Sequence, residues 1–488
     1  MRSSEDQQNG NLQKETQQKE IQQKTVSGKG KVLRRVGVIA AAAAVLLCAE
    51  AVARQCFDSV HFANYYNYEL KKMQEDGAEV GMVIGGASQV YHGCDTEILA
   101  EELGYENVIA ASSAGQASDG TYYMIRDVLD RFTPEYVVVG MSWDRFFPKR
   151  LGGLHGGRLL VKDHIPFWDG VEFFLKEAPV GQWFNLSDLY RFGGTVKSLQ
   201  QLKDNYEARK QVASGDWNID KTSASYYGKN GFIVFSETAK QGALVAEDLT
   251  FDESKIAPLE IKYMKKIADL CRERGVKLIW MTLPSTLAEL YSIDNYQYAI
   301  DYATKFLEEG TGFPYLNFSL IKNREELFPD TVFSDHIHLA DSGAKIFSKI
   351  FAEAVNRMRA GEDVSDMFYG SVEEMKADVH RIVGSWLQVT RRRNGTFLAS
   401  YKSLQNDDII PEYRLVLQTG EDEDSWEPLN DWTQETSVEF SEGELELGQR
   451  VRVQVRPMGS ETVEAYWTAT VIEQADAGNE EEVFDATE

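Results

Sequence analysis

Three side chains have the types and the spacing needed for nucleophilic catalysis: Ser88, Asp335 and His338. Ser88 follows a predicted strand and precedes a predicted helix, where the positive end of the helix and nearby N–H groups favour a developing oxyanion. A hydroxyl is a weak nucleophile until a base takes its proton. An aspartate three residues before His338 can hold its Nδ1–H and leave the other ring nitrogen to face the serine. We therefore predict Ser88 as nucleophile, His338 as base and Asp335 as the orienting carboxylate.

The elements that must position these residues alternate along the chain. Strands are predicted at Val80–Ile84, Asn107–Ala111, Tyr136–Met141, Val276–Met281 and Tyr315–Asn317. Helices are predicted at Asp95–Leu103, Asp119–Phe132, Ile256–Arg274, Gln297–Glu308 and Ala340–Arg359. Such alternation predicts an α/β fold with a parallel sheet covered on both faces. Ligands of these sheets bind at the carboxyl ends of the strands, which is where Ser88 is expected.

Three segments carry a resemblance to a known superfamily. Gly86-Ala87-Ser88 resembles the first block of the SGNH/GDSL hydrolases, and Asp335-His336-Ile337-His338-Leu339 resembles their last block. Ala111–Gln116 is similar to the second block, whose glycine, here Gly115, lends an oxyanion N–H. The resemblance covers about residues 78–358 and implies a flavodoxin-like three-layer sandwich. Within the superfamily the chain is similar to the membrane-anchored, exported branch of DltD and the alginate acetylation proteins, whose members act on cell-envelope polymers.

One block departs from the superfamily pattern. An asparagine usually follows the third strand, but here the sequence reads Gly140-Met141-Ser142-Trp143-Asp144. The third oxyanion donor must then come from another residue or be missing, and the candidates are Gln116 and Ser142. Two histidines near the predicted site receive secondary roles. We expect His336 to be structural or to face substrate, and His92 to lie at the pocket rim or in solvent.

The N-terminal region predicts a membrane anchor. Residues 1–35 are polar and are expected to form a disordered cytoplasmic tail, followed by an apolar run over residues 36–53 that is long enough to span a bilayer. Basic residues before the run favour a cytoplasmic N-terminus and an exported remainder. A signal peptide cleaved after Ala51-Val52-Ala53 is the alternative. A lipoprotein is disfavoured because Leu47 before Cys48 is too bulky.

The remaining chain divides into several predicted parts. The hydrolase-like domain covers residues 60–360, with an aromatic-rich insertion at 148–252 that forms either a lid or groove or a small core of its own. A linker (361–384), a β-sandwich (385–474) and an acidic tail (475–488) follow. The sandwich is similar to Ig-like modules that carry a Trp-x-x-Leu-x-x-Trp pattern, here at Trp426–Trp432.

Composition limits the classes of partner. The chain has 488 residues and a formal net charge of −26, which argues against a nucleic-acid partner. Its four cysteines show no metal-ligand spacing and favour small buried hydrophobes over a disulfide framework. No cofactor and no metal are expected.

Two classes of function follow. The first is an extracytoplasmic serine esterase or O-acyltransferase that acts on acyl esters, chiefly acetyl esters, of a cell-envelope glycan. The second is a catalytically impaired binding or scaffold protein of the envelope, in which the Ig-like module contacts a protein partner. The intact Ser88, Asp335 and His338 favour the enzyme.

Overall fold

The computed structural model describes residues 35–147, 153–219, 221–236, 249–420 and 425–473. The predicted acidic tail, and all but the last residue of the predicted cytoplasmic tail, lie outside these residues. The chain separates into two compact units. The first contains the residues up to His61 together with 181–216, and the second contains 62–180 and the chain from Trp217 onward.

The strands form an α/β sheet, a hairpin and a sandwich. In chain order they are β1 (Val80–Gly86), β2 (Asn107–Ser112), β3 (Tyr136–Met141), β4 (Ser225–Tyr227), β5 (Ile233–Phe235), β6 (Lys277–Thr282), β7 (Tyr315–Asn317), β8 (Gly384–Arg391), β9 (Phe397–Leu404), β10 (Pro411–Gln418), β11 (Trp426–Pro428), β12 (Ser437–Phe440), β13 (Arg450–Pro457), β14 (Ala465–Thr470) and β15 (Ile472–Glu473).

The α-helices lie around the sheet and in the insertion. They are α1 (Arg35–Cys56), α2 (Phe62–Asp76), α3 (Ser88–Gly93), α4 (Thr96–Leu103), α5 (Ser118–Arg131), α6 (Gly153–His164), α7 (Phe167–Glu177), α8 (Asp188–Phe192), α9 (Leu199–Ser214), α10 (Pro258–Arg274), α11 (Leu287–Tyr291), α12 (Tyr296–Ala303), α13 (Arg324–Leu327), α14 (Asp341–Arg359) and α15 (Val372–Ala377). The predicted helix Gln297–Glu308 is α12 continued by a π-helical turn, Thr304–Glu309.

The central sheet has five parallel strands in the order β2-β1-β3-β6-β7. Counted along the chain this is the flavodoxin-like order 2-1-3-4-5, so the predicted α/β fold with a parallel sheet is confirmed. Alternate residues of each strand enter different cores. In β1, Val83 faces the core that contains α5 and α10, whereas Met82 and Ile84 face the core that contains α4 and α14. Burial on both faces explains why these strands are continuous apolar runs.

The C-terminal region contains two four-stranded sheets around their own core. Their strand orders are β11-β10-β13-β14 and β12-β9-β8-β15. In β13, Val451, Val453 and Val455 are fully buried while the residues between them are not, because successive side chains of a strand point to opposite faces. On the outer face, Arg456 lies over the Trp432 ring and Arg452 lies over the Trp426 ring, 4.1 Å and 4.0 Å from the ring centroids.

The predicted linker is not a free connection. Side chains of residues 361–384 pack into the same core as α5 and α10, namely those of Val372, Met375, Val379 and Val383. The segment predicted as a linker therefore contributes buried side chains to the α/β core. Its apolar residues recur every three or four positions in and after α15, so they lie on one side of the segment and can face the core.

In the first unit, α1 is an apolar helix of 22 residues, and its most apolar stretch of 18 residues has a mean hydropathy of 2.3. It is long and apolar enough to cross a membrane, a property that signal sequences share. Near its C-terminal end, Glu50 and Arg54 contact Ser187 and Asp188 at the start of α8.

Candidate active site

The structure brings Ser88, His338 and Asp335 together at the carboxyl ends of the sheet strands. Ser88 is the first residue of α3, two residues after β1 ends at Gly86, and the other two lie in the loop before α14. The Nε2 atom of His338 is 2.7 Å from the Ser88 Oγ, and its Nδ1 is 2.6 Å from the Asp335 Oδ2. The result is a continuous hydrogen-bonded chain from hydroxyl to imidazole to carboxylate.

The Asp335 carboxylate is held in its charged form. Burial alone would raise its pKa, but hydrogen bonding and charge attraction to His338 and two backbone N–H groups outweigh burial and lower the pKa to about 2. These N–H groups belong to Ile337 and His338, and each donates to Oδ1 at 2.8 Å. At neutral pH, Asp335 is therefore an acceptor that fixes the Nδ1–H orientation of the imidazole.

The loop that carries His338 is fixed at both ends. The Ser334 N–H donates to the His338 carbonyl at 2.8 Å, and the Thr286 N–H donates to the His336 carbonyl at 2.9 Å. Gly343, at the start of α14, lies so close to Val332 that a Cβ would come within 2.3 Å of its carbonyl oxygen. His336 thus contributes its backbone to the loop, and burial lowers the pKa of its imidazole.

His92 is buried, which contradicts its predicted place at the rim or in solvent. Its side chain is 4% exposed, and its Nδ1–H donates to the Ile233 carbonyl at 2.7 Å. The ring stacks on Phe235, with centroids 3.6 Å apart, and lies edge-on to His338. Burial, followed by the charge of His338, lowers its pKa to about 3, so the ring is neutral. Four-residue spacing places His92 on the Ser88 side of α3, a signal that the sequence did contain.

The β4–β5 hairpin of the insertion forms one wall of the site. Phe235 reaches both His92 and His338, whose ring centroid is 6.1 Å from that of Phe235. The hairpin turn packs on the edge strand β2, because the Ala110 N–H donates to the Asn230 carbonyl at 2.9 Å. Gly231, with φ +90°, allows this approach, since a Cβ there would meet the Ala110 oxygen at 2.2 Å.

The loop after β2 presents Gly115 but not the side chain of Gln116. Gly115 is exposed and has a φ of +61°, a conformation that favours glycine. The Gln116 side chain is fully buried; its Oε1 accepts from Ser113 and its Nε2 donates to Thr121, both at 3.0 Å. In this placement the Gln116 amide is engaged by Ser113 and Thr121, so the predicted use as an oxyanion donor would require it to turn. Arg145, fully buried on the loop after β3, also donates to the Gln116 carbonyl.

The residues after β3 interact with one another and with a buried glutamate. The Ser142 hydroxyl, the other candidate donor, donates to the Asp144 carboxylate. The Trp143 Nε1–H donates to Glu289 Oε1 at 3.3 Å. Burial, with a smaller contribution from the charges of Asp144 and Asp335, raises the pKa of Glu289 to about 7. Sequence reasoning missed Glu289, because Thr286-x-x-Glu289 has the spacing of a helix capping box.

Tyr91 is a second residue that the sequence did not indicate. It lies one turn after Ser88 on α3 and is buried. Burial raises the pKa of its phenol, and the nearby Ser88 hydroxyl opposes that shift. Within the described ranges, no group of three or more His, Cys, Asp and Glu side chains is arranged to hold a metal ion.

Comparison with known proteins gives only remote similarity. No protein-family model and no curated protein matches the chain. A proposed acylhydrolase from Bacteroides fragilis aligns over 62% of this chain and 99% of its own, with 10% identity and a TM-score of 0.30. A GDSL-like lipase from Bacteroides thetaiotaomicron aligns over 60% and 99%, with 9% identity and a TM-score of 0.29. Because both TM-scores are below 0.5, function has to be inferred from the side-chain geometry.

Proposed function

We propose that the chain is a serine esterase or O-acyltransferase of the SGNH/GDSL type. The observation that carries this proposal is the hydrogen-bonded chain from Ser88 through His338 to Asp335. A serine hydroxyl in contact with an imidazole that is itself oriented by a carboxylate is the arrangement that activates serine nucleophiles on many unrelated folds.

In the proposed reaction, the Ser88 Oγ attacks the carbonyl carbon of an ester while His338 Nε2 takes the hydroxyl proton. The negative charge of the tetrahedral intermediate faces the backbone N–H groups of Ser88 and Gly115. His338 then gives the proton to the departing alkoxide, and an acyl-enzyme remains. A second hydroxyl, from water or from a sugar, attacks the acyl carbon with His338 again as base, and Ser88 regains its proton.

The substrate we propose is an acyl ester, chiefly an acetyl ester, on a cell-envelope glycan. The similarity of the chain to the exported branch of the superfamily motivates this choice. The β4–β5 hairpin supports the lid interpretation of the insertion, because it places Phe235 beside the His338 ring. Hydrolysis and transfer differ only in whether water or a sugar hydroxyl reaches the acyl-enzyme.

We also propose that α1 remains attached as a single-pass anchor, with the N-terminus cytoplasmic and the second unit extracytoplasmic. Cleavage after Ala53 would separate Glu50 from Ser187 and Asp188, which it contacts at 2.7 Å and 2.6 Å. The C-terminal sandwich, which has its own core, is proposed as an Ig-like module for a protein partner.

A scaffold function is the second candidate, and one observation favours it. The position that holds an oxyanion asparagine in the superfamily is Ser142, whose hydroxyl is already used by Asp144. A site with two backbone donors alone could be a remnant of an enzyme that now binds an envelope polymer.

Labelling with a fluorophosphonate, which reacts only with an activated serine, separates these functions. We expect the full chain in detergent to be labelled and to hydrolyse p-nitrophenyl acetate, and Ser88→Ala to do neither. A folded wild-type chain that is not labelled would make the scaffold function the better one. Mass spectrometry of envelope glycans from cells with and without the gene then tests the substrate.

A further inference from the structure

We propose that residues 181–203, the interfacial segment, lie on the surface of the lipid bilayer beside the point where α1 leaves it. The proposal rests on the membrane placement of α1, which is part of the proposed function. It adds a second membrane contact made by a segment that is distant in sequence from the anchor.

Hydrogen bonds and an ion pair attach the interfacial segment to the C-terminal turns of α1. Glu50 accepts from the Ser187 hydroxyl at 2.7 Å and from the backbone N–H of Asp188 at 2.6 Å. Arg54, one turn later, pairs with the Asp188 carboxylate at 3.3 Å. On the N-terminal side of Glu50, the helix is an uninterrupted apolar run that begins at Val36. Charged residues at the end of such a run lie at the membrane–water boundary, so the attached segment lies there too.

The interfacial segment exposes large apolar and aromatic side chains. Their exposed fractions are 38% for Trp183, 68% for Phe184, 65% for Tyr190 and 85% for Leu199. Single exposed apolar residues are ordinary on soluble proteins, but several on one short segment mark an interaction surface. Tryptophan and tyrosine are the residues enriched at the headgroup level of membranes. Their position beside α1 therefore favours lipid over a water-soluble partner.

The charge of the interfacial segment also fits a membrane surface. It contains one acidic residue, Asp188, and three basic residues, Arg191, Lys197 and Lys203. The chain as a whole carries −26, so this local excess of positive charge is unusual. Basic residues near a bilayer are attracted to anionic headgroups. We therefore infer that the interfacial segment binds an anionic bilayer surface and that its aromatic rings insert to the depth of the headgroups.

Site-specific fluorescence on the full chain in liposomes tests the proposal. In a Cys48→Ala, Cys56→Ser background, the remaining Cys94 and Cys271 are buried and should not react. Phe184→Cys is labelled with an environment-sensitive fluorophore. We expect a blue-shifted emission that nitroxide lipids quench more when the nitroxide is near the headgroup than near the bilayer centre. The control is Leu447→Cys, at an exposed side chain of the C-terminal sandwich, which should show water-like emission.

Two outcomes would overturn the proposal. Water-like emission from Phe184→Cys would show that the segment is in solvent, and blue-shifted emission without lipid quenching would show that protein covers it. Leu199→Cys repeats the measurement in case Phe184→Cys does not fold. Val45→Cys, on α1, should be quenched best by the deep nitroxide. If the label at Val45→Cys is not quenched, the proposal that α1 spans the membrane is wrong. If the Val45 label is quenched but the Phe184 label is not, only the interfacial contact is overturned.

A separate variant tests the attraction between the basic residues of the interfacial segment and anionic lipid. Lys197→Glu with Lys203→Glu should reduce quenching of the Phe184 label in vesicles that contain phosphatidylglycerol, and should have little effect in pure phosphatidylcholine. An equal effect in both lipids, or none in either, would refute the contribution of charge.

Discussion

The imidazole of His92 lies edge-on to that of His338, with ring centroids 5.5 Å apart. His92 is neutral, and the Ile233 carbonyl and the Phe235 ring hold it from the other side. The proposed catalytic base therefore has a neutral aromatic neighbour. A charged neighbour would have disfavoured the imidazolium that forms during the reaction.

From this contact we predict that His92 positions His338. His92→Ala should lower kcat by up to about a hundredfold with little change in KM, because small displacements of a catalytic group are costly. His92→Phe keeps a flat ring on Phe235 and should retain more activity. Both variants leave the Ile233 carbonyl without its donor and should lose about 1–3 kcal/mol of stability. Ester kinetics and urea unfolding of the two variants separate positioning from stability. Equal kcat losses in both would contradict the prediction.

The hydrogen-bonded chain predicts a specific order of losses. Ser88→Ala and His338→Ala should each reduce ester turnover at least about a thousandfold, and the double variant should be little worse because the residues act as a unit. Asp335→Asn should leave more activity than His338→Ala, since the imidazole remains.

His336→Ala is the matched control, because the backbone carbonyl of His336 accepts hydrogen bonds from Thr286 and would be kept in this variant. Its activity should stay close to that of the wild type. An inactive His336→Ala beside an active His338→Ala would reverse the assignment of the base.

The raised pKa of Glu289 predicts a pH dependence of stability. Its folded pKa is about 7 against a reference of 4.5, so the folded state holds a proton that the unfolded state has lost over that range. Stability should therefore fall as pH rises from about 4.5 to about 7. Glu289→Gln keeps an acceptor for Trp143 and should remove this part of the slope, as measured by urea unfolding at several pH values. Glu373→Gln, at an exposed carboxyl, should not change it.

Sequence reasoning predicted the α/β sheet because β1, β3 and β6 are short apolar runs separated by helical patterns, a local property. The contact between Ser88 and His338 was predicted only because the strand ends of a parallel sheet meet at one edge. The inward orientation of the Gln116 side chain was not predictable, because it depends on hydrogen bonds with Ser113 and Thr121, and Thr121 is held in turn by Arg145 from the loop after β3. The burial of His92 likewise depends on a hairpin more than a hundred residues away.

The packing of residues 372–383 predicts where the chain can be shortened. Val372, Met375, Val379 and Val383 belong to the α/β core, and each such buried side chain contributes about 1.5–3 kcal/mol. A chain that ends after Val383 should keep fluorophosphonate labelling of Ser88. One that ends at Glu362 should be much less stable or insoluble. Equal thermal stability of the two would show that the segment adds nothing to this core.

Gln116 provides the last prediction, because a structural role and an oxyanion role of its side chain predict different results. If Gln116 were an oxyanion donor, Gln116→Ala would lower kcat, typically by about a hundredfold. It would leave stability unchanged. In the structure its side chain bridges Ser113 and Thr121 and is fully buried. Gln116→Ala should therefore cost about 1–3 kcal/mol of unfolding free energy, since buried hydroxyls lose partners. Gln116→Glu, which keeps the acceptor for Ser113 but cannot donate to Thr121 when ionised, should be destabilised more as pH rises. Measured at a temperature where both variants remain folded, kcat should change far less than in Ser88→Ala. If Gln116→Ala is stable but its kcat falls about a hundredfold, the oxyanion-donor role is supported. The amide must then turn toward the substrate during the reaction.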